Sequence, residues 1–283
     1  MSATGGVDDD GRVTTVRLGV LREKVHERVG SLTPMSPPLP ARDAAPELSV
    51  VMPAHNEAGF LDQTLKVLVS ALRDRELAFE MVVVENGSTD STLVDARTFA
   101  ADDPTVVVLT RPVADYGEAM REGVLAARGD VVVVFDVDYF DPAFVDVVLP
   151  RLTEPGGPAI VVGSKRAPGT SDTRPWPRRA ITAGFSTILR VGFGLRVSDT
   201  HGMKGMRREI VEPIARRCRN GTDLFDTELV LRADRAGLVV TEVPVTVEER
   251  RPARTPIAGR IARTMFGLVR LRIQLWREPS ARS

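Results

Sequence analysis

Val131-Val132-Val133-Val134-Phe135-Asp136-Val137-Asp138 sets five apolar β-formers in a row and then breaks the run with two carboxylates one residue apart. A continuous apolar run of this length reads as a strand buried on both faces, as in a parallel sheet covered by helices. Ligands of open α/β sheets bind in the crevice outside the carboxyl ends of the strands, so Asp136 and Asp138 fall where a ligand is expected. On a regular strand these side chains would point to opposite faces. A turn after Phe135 lets both converge on one hard cation.

Outward from this run, short apolar segments alternate with helical periodicity. Leu48 to Met52, Met81 to Val84, Thr105 to Leu109 and Ala159 to Gly163 are further expected strands. Leu61, Leu65, Leu68 and Leu72 mark one face of a helix between the first two. Ala119, Met120, Gly123, Val124 and Ala127 form a comparable stripe before Val131. The pattern predicts an α/β fold with a Rossmann-like, mostly parallel central sheet flanked by helices. Val243, Val245 and Val247 alternate with polar residues or Pro244, which suggests an edge strand.

Composition narrows the function classes. The 283 residues carry 38 Lys+Arg and 38 Asp+Glu, so a formal net charge of zero argues against a nucleic-acid partner. Cys218 is the single cysteine, which excludes an internal disulfide and fits a reducing compartment. Asp8, Asp9 and Asp10 stand where a signal peptide would be basic and then apolar. No uninterrupted apolar segment reaches the ~20 residues of a spanning helix. The expected setting is the cytoplasm, peripheral at the inner face of the cell membrane.

The ends differ from the middle. Residues 1 to 46 are rich in small and polar residues and close on Pro34, Pro37, Pro38, Pro40 and Pro46, which reads as a flexible tail. Residues 47 to 255 form the expected α/β domain, and residues 256 to 283 a basic amphipathic helix. In that last segment Ile257, Ile261, Met265, Phe266, Leu268, Val269, Ile273, Leu275 and Trp276 share a broad face. Arg260, Arg263, Arg270 and Gln274 lie opposite, and no acidic residue occurs between Ile257 and Arg277. Such a helix suits a membrane interface with anionic lipid, or packs as an ordinary C-terminal helix on the domain.

Two polar loops follow the first two strands: Pro53-Ala54-His55-Asn56-Glu57 and Glu85-Asn86-Gly87-Ser88-Thr89-Asp90. Glu85 can accept hydrogen bonds from the N–H edge of a base, and Gly87 with Ser88 allows close backbone approach to ribose or phosphate. Helix capping by Asn56-Glu57 and by Ser88-Thr89-Asp90 is the alternative reading of each. Taken with Asp136 and Asp138, the loops describe one crevice at three strand ends.

In their order and spacing these three motifs resemble those of family-2 glycosyltransferases with the GT-A fold. Asp199-Thr200-His201-Gly202-Met203-Lys204 and Glu242-Val243-Pro244-Val245 with Arg250 are similar to segments of the polyprenyl-phosphate sugar synthases, such as dolichyl-phosphate mannose synthases. The resemblance covers about residues 47 to 255. It implies an inverting, metal-dependent transfer from a nucleotide-diphosphate sugar. Pro53, Ala54, Asn56, Glu57, Glu85, Asn86, Gly87, Ser88, Asp115, Val137 and His201 would border the donor. Asp136 and Asp138 would hold Mg²⁺ or Mn²⁺, ions suited to hard oxygen ligands. Asp138, Asp226, Lys204 and Arg250 are the residues expected to carry catalysis.

Three positions depart from the synthase pattern. Phe140 replaces a Gln that would be a further metal ligand, with Asp141 beside it. Asp115-Tyr116-Gly117-Glu118 replaces Asn-x-Gly-Lys, and Lys204 replaces an Arg that offers phosphate a bidentate fork. A polyprenyl phosphate acceptor arrives anionic and needs cations, which Lys204, Arg207, Arg250, Arg251 and Arg254 can supply. A hydroxyl acceptor on a glycolipid, polysaccharide or small metabolite needs a general base instead. Asp223, Asp226 and Glu228 offer that base, or cap a helix before Leu229. A third reading, motivated by Phe140 and Glu118, is a nucleotide-sugar-binding protein without catalysis.

Overall fold

The computed structural model describes residues 45–164, 176–195, 197–221, 224–245 and 257–278. All but the last two residues of the expected N-terminal tail lie outside them. Among the described residues seven strands form one sheet in the order β3-β2-β1-β4-β6-β5-β7. They are β1 Leu48–Ala54, β2 Phe79–Asn86, β3 Val106–Arg111, β4 Val131–Val134, β5 Ile160–Ser164, β6 Lys204–Arg207 and β7 Val240–Pro244. Every pairing is parallel except those of β6, which runs antiparallel to both β4 and β5. β7 lies at the edge, where Pro244 removes no ladder bond from a central strand.

Eight helices are described: α1 Leu61–Arg73, α2 Thr92–Asp102, α3 Tyr116–Ala126, α4 Pro142–Thr153, α5 Trp176–Phe193, α6 Arg208–Arg217, α7 Phe225–Arg235 and α8 Ile257–Arg277. The valine run of β4 shows why the sheet is covered on both sides. Val131 and Val133 enter one core with Leu61, Leu65, Leu68 and Leu72 of α1 and Val145 and Val148 of α4. Val132 and Val134 enter the other core with Ala119, Met120 and Val124 of α3, Leu229 of α7 and Leu271 of α8. Period-2 alternation delivers one apolar residue to each layer in turn. Truncating one of these leucines, as in Leu65→Ala, costs ~2–5 kcal/mol.

Strand order reverses beside β1: β2 and β3 add on one side, and the chain then crosses back to place β4 on the other. The switch point between β1 and β4 opens a crevice at the carboxyl ends of both strands. At the opposite end a polar lock closes the sheet. Ser49 Oγ donates to Glu80 Oε1 at 2.7 Å, and Arg128 Nε donates to Glu80 Oε2 at 2.9 Å. Glu80 is therefore paired although almost wholly buried.

Sequence periodicity locates β1 to β5 within about two residues; the edge strand expected at Val243, Val245 and Val247 overlaps β7 only at its end, and periodicity offers no sign of β6. Lys204-Gly205-Met206-Arg207 has no apolar run. It is a strand because tertiary contacts make it one: Gly205 sits against Val148 and Leu152 where a Cβ would clash at 2.9 Å. The expected apolar face of α8 is divided in two. Leu268 and Leu275 are buried together with Leu271, which the expected face did not include, while Phe266, Val269, Ile273 and Trp276 face outward.

Candidate active site

Three loops meet at the switch point. Parallel register sets Ala54 at the end of β1 directly beside Glu85 at the end of β2, and Val51 beside Val134 of β4. Pro53 and Ala54 are buried strand residues, and His55, exposed beyond them, places Nδ1 2.8 Å from the Asn86 carbonyl. Asn56 adopts a left-handed φ of 54°, and its amide N–H donates to Ser88 Oγ at 3.1 Å. In return Asn56 Oδ1 accepts from the Thr89 amide at 2.8 Å. Glu57 donates its backbone N–H to Thr92 Oγ1. These bonds tie the first loop to the second, so neither Asn56 nor Ser88 caps a helix with its side chain.

Glu85 is buried, and its Oε1 accepts the Ser88 amide within the second loop. Gly87 has a φ of 65°, and a Cβ there would meet the Ala114 nitrogen at 2.7 Å. That close approach brings the loop before α3 into the crevice. Asn86 completes it, for its Oδ1 accepts the Asp115 amide at 2.8 Å. Asp115 then caps α3 by accepting the Glu118 amide. Its carboxylate also lies against Gly221, where a Cβ would sit 2.8 Å from Asp115 Cγ.

The carboxylate pair lies on a tight turn closed by reciprocal backbone bonds of 3.2 Å between Asp136 and Tyr139. Val137 is buried, and its carbonyl accepts from Thr64 Oγ1 of α1 at 3.0 Å. Asp138 is exposed. Asp136 turns inward and accepts from the Tyr116 hydroxyl at 2.7 Å. Burial pushes the Asp136 carboxyl above the usual carboxylate range, and the charges of Asp226 and Asp138 push the same way. Tyr116 and Lys204 oppose that rise.

Asp226 reaches this cluster from the first turn of α7. Its Oδ2 pairs with Lys204 Nζ at 3.0 Å, and Lys204 also donates to the Gly202 carbonyl at 2.7 Å. Lys204 has no exposed surface, so its ammonium compensates a buried carboxylate instead of standing free in the crevice. Asp226 Oδ1 is buried with no hydrogen-bond partner among the described residues. Glu228, two residues on, accepts from the Arg219 and Asn220 amides and from Arg232, a purely structural set of contacts. His201 is half-buried, edge-on to Phe185 of α5 at 5.3 Å between centroids. The Ser198 and Asp199 amides, at the head of its loop, are held by Glu242 Oε1 of β7.

The fit to a divalent cation follows from charge and donor type. The charges of Asp138 and Asp226 both act on Asp136, and Lys204 offsets part of them. Among the described residues no group of three or more His, Cys, Asp or Glu is arranged to hold a metal alone. Two hard carboxylates suit an ion whose coordination is completed by diphosphate oxygens and water. Asp141 accepts the Ala143 amide at 2.9 Å as the cap of α4, and Phe140 packs against the α1–α4 core. Arg250, Asp223, Arg251 and Arg254 lie outside the described residues.

Sequence reasoning passed over Tyr116. Its position between Asp115 and Gly117 carries no signal until the start of α3 is set against the end of β4. Asp199, at the head of the motif 199–204, is buried, with Oδ2 unpartnered among the described residues.

Comparison with known proteins gives a consistent picture. The family model for glycosyl transferase family 2 matches residues 49–214. An undecaprenyl-phosphate mannosyltransferase from Micrococcus luteus is 32% identical over 222 residues, which is 75% of this chain and 87% of the relative. A glycosyltransferase from Haloferax volcanii, AglD, is 31% identical over 218 residues, 75% of this chain but only 35% of the longer archaeal protein. Among solved structures, a mannosyltransferase from Pyrobaculum calidifontis in complex with GDP-Man and Mn²⁺ shares the fold. Its TM-score is 0.58 at 22% identity, covering 93% of this chain and 72% of the other.

Proposed function

The chain belongs to glycosyl transferase family 2 and is a glycosyltransferase with the GT-A fold, and from that premise we propose that it transfers a sugar from a nucleotide-diphosphate donor to a polyprenyl phosphate, with inversion, at the inner face of the cell membrane. The observation that carries this reading is the match along 87% of an undecaprenyl-phosphate mannosyltransferase. That no described helix is long and apolar enough to cross a membrane fits peripheral contact through the C-terminal helix.

In this reading the loops after β1 and β2 hold the nucleoside, with Glu85 at the base and Gly87 and Ser88 beside ribose or phosphate. Asp136 and Asp138 would hold Mg²⁺ or Mn²⁺, which when bound would supply positive charge for the departing diphosphate. Tyr116 fixes the Asp136 carboxylate in the orientation that faces the donor. A phosphate oxygen of the acceptor attacks the anomeric carbon from the face opposite the diphosphate. The bond from that carbon to the β-phosphate oxygen breaks, and no proton need be removed from the nucleophile.

Asp226 Oδ1 favours a second acceptor class. A buried carboxylate oxygen with no partner can take the proton of an attacking hydroxyl, which a lipid phosphate would not require. Incubation with a panel of labelled nucleotide sugars and a membrane lipid extract separates the two. An acid-labile, lipid-linked product is expected. Label on an acid-stable glycoside, with none in the lipid phosphate fraction, would select the hydroxyl acceptor.

A further inference from the structure

The two longest helices share a property that the active site does not use. α5 contains three arginines and α8 five, and neither contains an aspartate or glutamate, in a chain with equal numbers of both signs. Their outward faces are apolar. On α8, Met265, Phe266, Val269, Ile273 and Trp276 fall within an arc of about 100° and are 36–78% exposed. On α5, Trp176 and Val191 are 77% and 81% exposed, and Ala180, Gly184 and Thr187 continue the same uncharged stripe between them.

α8 is not free to turn this face inward. Leu268, Leu271 and Leu275 already bury its other side against the domain. Arg235 donates to the Leu275 carbonyl, Asn220 Nδ2 to Gln274 Oε1, and Arg232 grips Glu278 at 2.6 Å. The outward stripe is therefore left to solvent by the fold itself, and a patch of this kind marks an interaction surface. Arg263, Arg270 and Arg277 line one margin. Arg272 lines the other and lies over the Phe193 ring of α5 at 5.9 Å, which joins the two helices.

We propose that the outward faces of α5 and α8 form one docking surface for an anionic lipid bilayer. Apolar side chains, a tryptophan on each helix and arginines with no opposing acid match the layering of a charged interface, with stems buried and guanidinium groups at the phosphates. The sequence alone assigned this contact to the C-terminal helix; α5 supplies its second half. The inward face of α5 carries Phe185 against His201, and Ser186 Oγ donates to the Ser198 carbonyl. Docking thus holds the loop 197–201 at the bilayer. That consequence rests on the lipid-acceptor reading, whereas the surface itself does not.

Sedimentation of the full chain with vesicles tests the surface without donor or acceptor. Binding to vesicles rich in phosphatidylglycerol is expected, weakening with salt, with little binding to pure phosphatidylcholine. Phe266→Glu/Trp276→Glu on α8 and Trp176→Glu/Val191→Glu on α5 should each weaken it roughly tenfold or more. All four side chains are exposed, so melting temperature should not move. No binding by the unaltered chain, equal binding to neutral vesicles, or an effect of the α8 pair alone would overturn the proposal. So would a dimer in solution that the same substitutions dissociate, because a second copy would then cover the surface. Loss of vesicle binding with lipid-linked product still formed would refute the surface only. Vesicle binding with no lipid-linked product would refute the acceptor reading only.

Discussion

Lys204 Nζ lies 3.0 Å from Asp226 Oδ2, with side-chain exposures of 0% and 4%. The pair joins β6, which runs antiparallel to its neighbours β4 and β5, to the first turn of α7. Removing one partner of a buried pair strands the other charge. Lys204→Met is therefore expected to destabilise the protein by ~3–5 kcal/mol in urea unfolding. The double change Lys204→Met/Asp226→Leu should recover much of that loss. A double variant no more stable than the single would show that the pair is not the source of the effect.

Tyr116 holds Asp136 through a 2.7 Å bond from a helix on the other side of the switch point. Tyr116→Phe keeps the ring and removes the hydroxyl. Partners that orient metal-binding carboxylates typically change metal affinity by ~10–100-fold. The activity of the variant should need correspondingly more Mn²⁺ or Mg²⁺, with saturating metal restoring most of the rate.

Asp138 is exposed on the turn. Asp138→Asn should leave the unfolding midpoint unchanged and remove both turnover and metal-dependent donor binding, read by isothermal titration with and without metal. Retained metal-dependent binding would show that Asp138 is not a ligand.

Gly87 combines a left-handed φ with a backbone neighbour at 2.7 Å from any added Cβ. Gly87→Ala should cost ~1–3 kcal/mol and raise the KM for the donor, since the loops before α2 and α3 must separate. Gly59 also has positive φ but nothing within 4 Å of a Cβ. Gly59→Ala is the control: strained, but without effect on donor KM.

The C-terminal helix should loosen in acid. The Arg232 guanidinium beside Glu278 holds that carboxyl below the usual range. A carboxyl depressed in the folded state contributes stability above its unfolded value of about 4.3 and loses it as pH falls through the lower folded value. Protection of the α8 amides, with exchange corrected for its intrinsic pH dependence, should therefore be high near neutrality and fall below about pH 4. Glu278→Gln should exchange faster at neutral pH and show less of that acid dependence.

Much of the fold is legible in local pattern. The valine run of β4, the leucine stripe of α1 and the polar residues after β1, β2 and β4 are short-range signals, since a strand's period and a loop's chemistry are set by neighbouring residues. They were enough to expect a parallel sheet and a crevice lined by Asn56, Glu85 and Asp136. β6 escaped because four residues containing a lysine and a glycine have no period, and its burial comes from segments distant in sequence, among them α4, β4, β5 and α7. The charge of Lys204 suggested a free cation, and only the packing of α7 reveals its partner.

What the sequence by itself determined is the family, the order of the strands along the chain and the acids at their ends, because each is written in contiguous residues. What only the tertiary structure decided is which of those charges remain available. Asp226 sits against Lys204, Tyr116 against Asp136, and the leucines of α8 against the domain while its aromatic residues face out. Contacts between distant segments fix these partners, and burial makes each pairing compulsory by removing the water that would otherwise satisfy it.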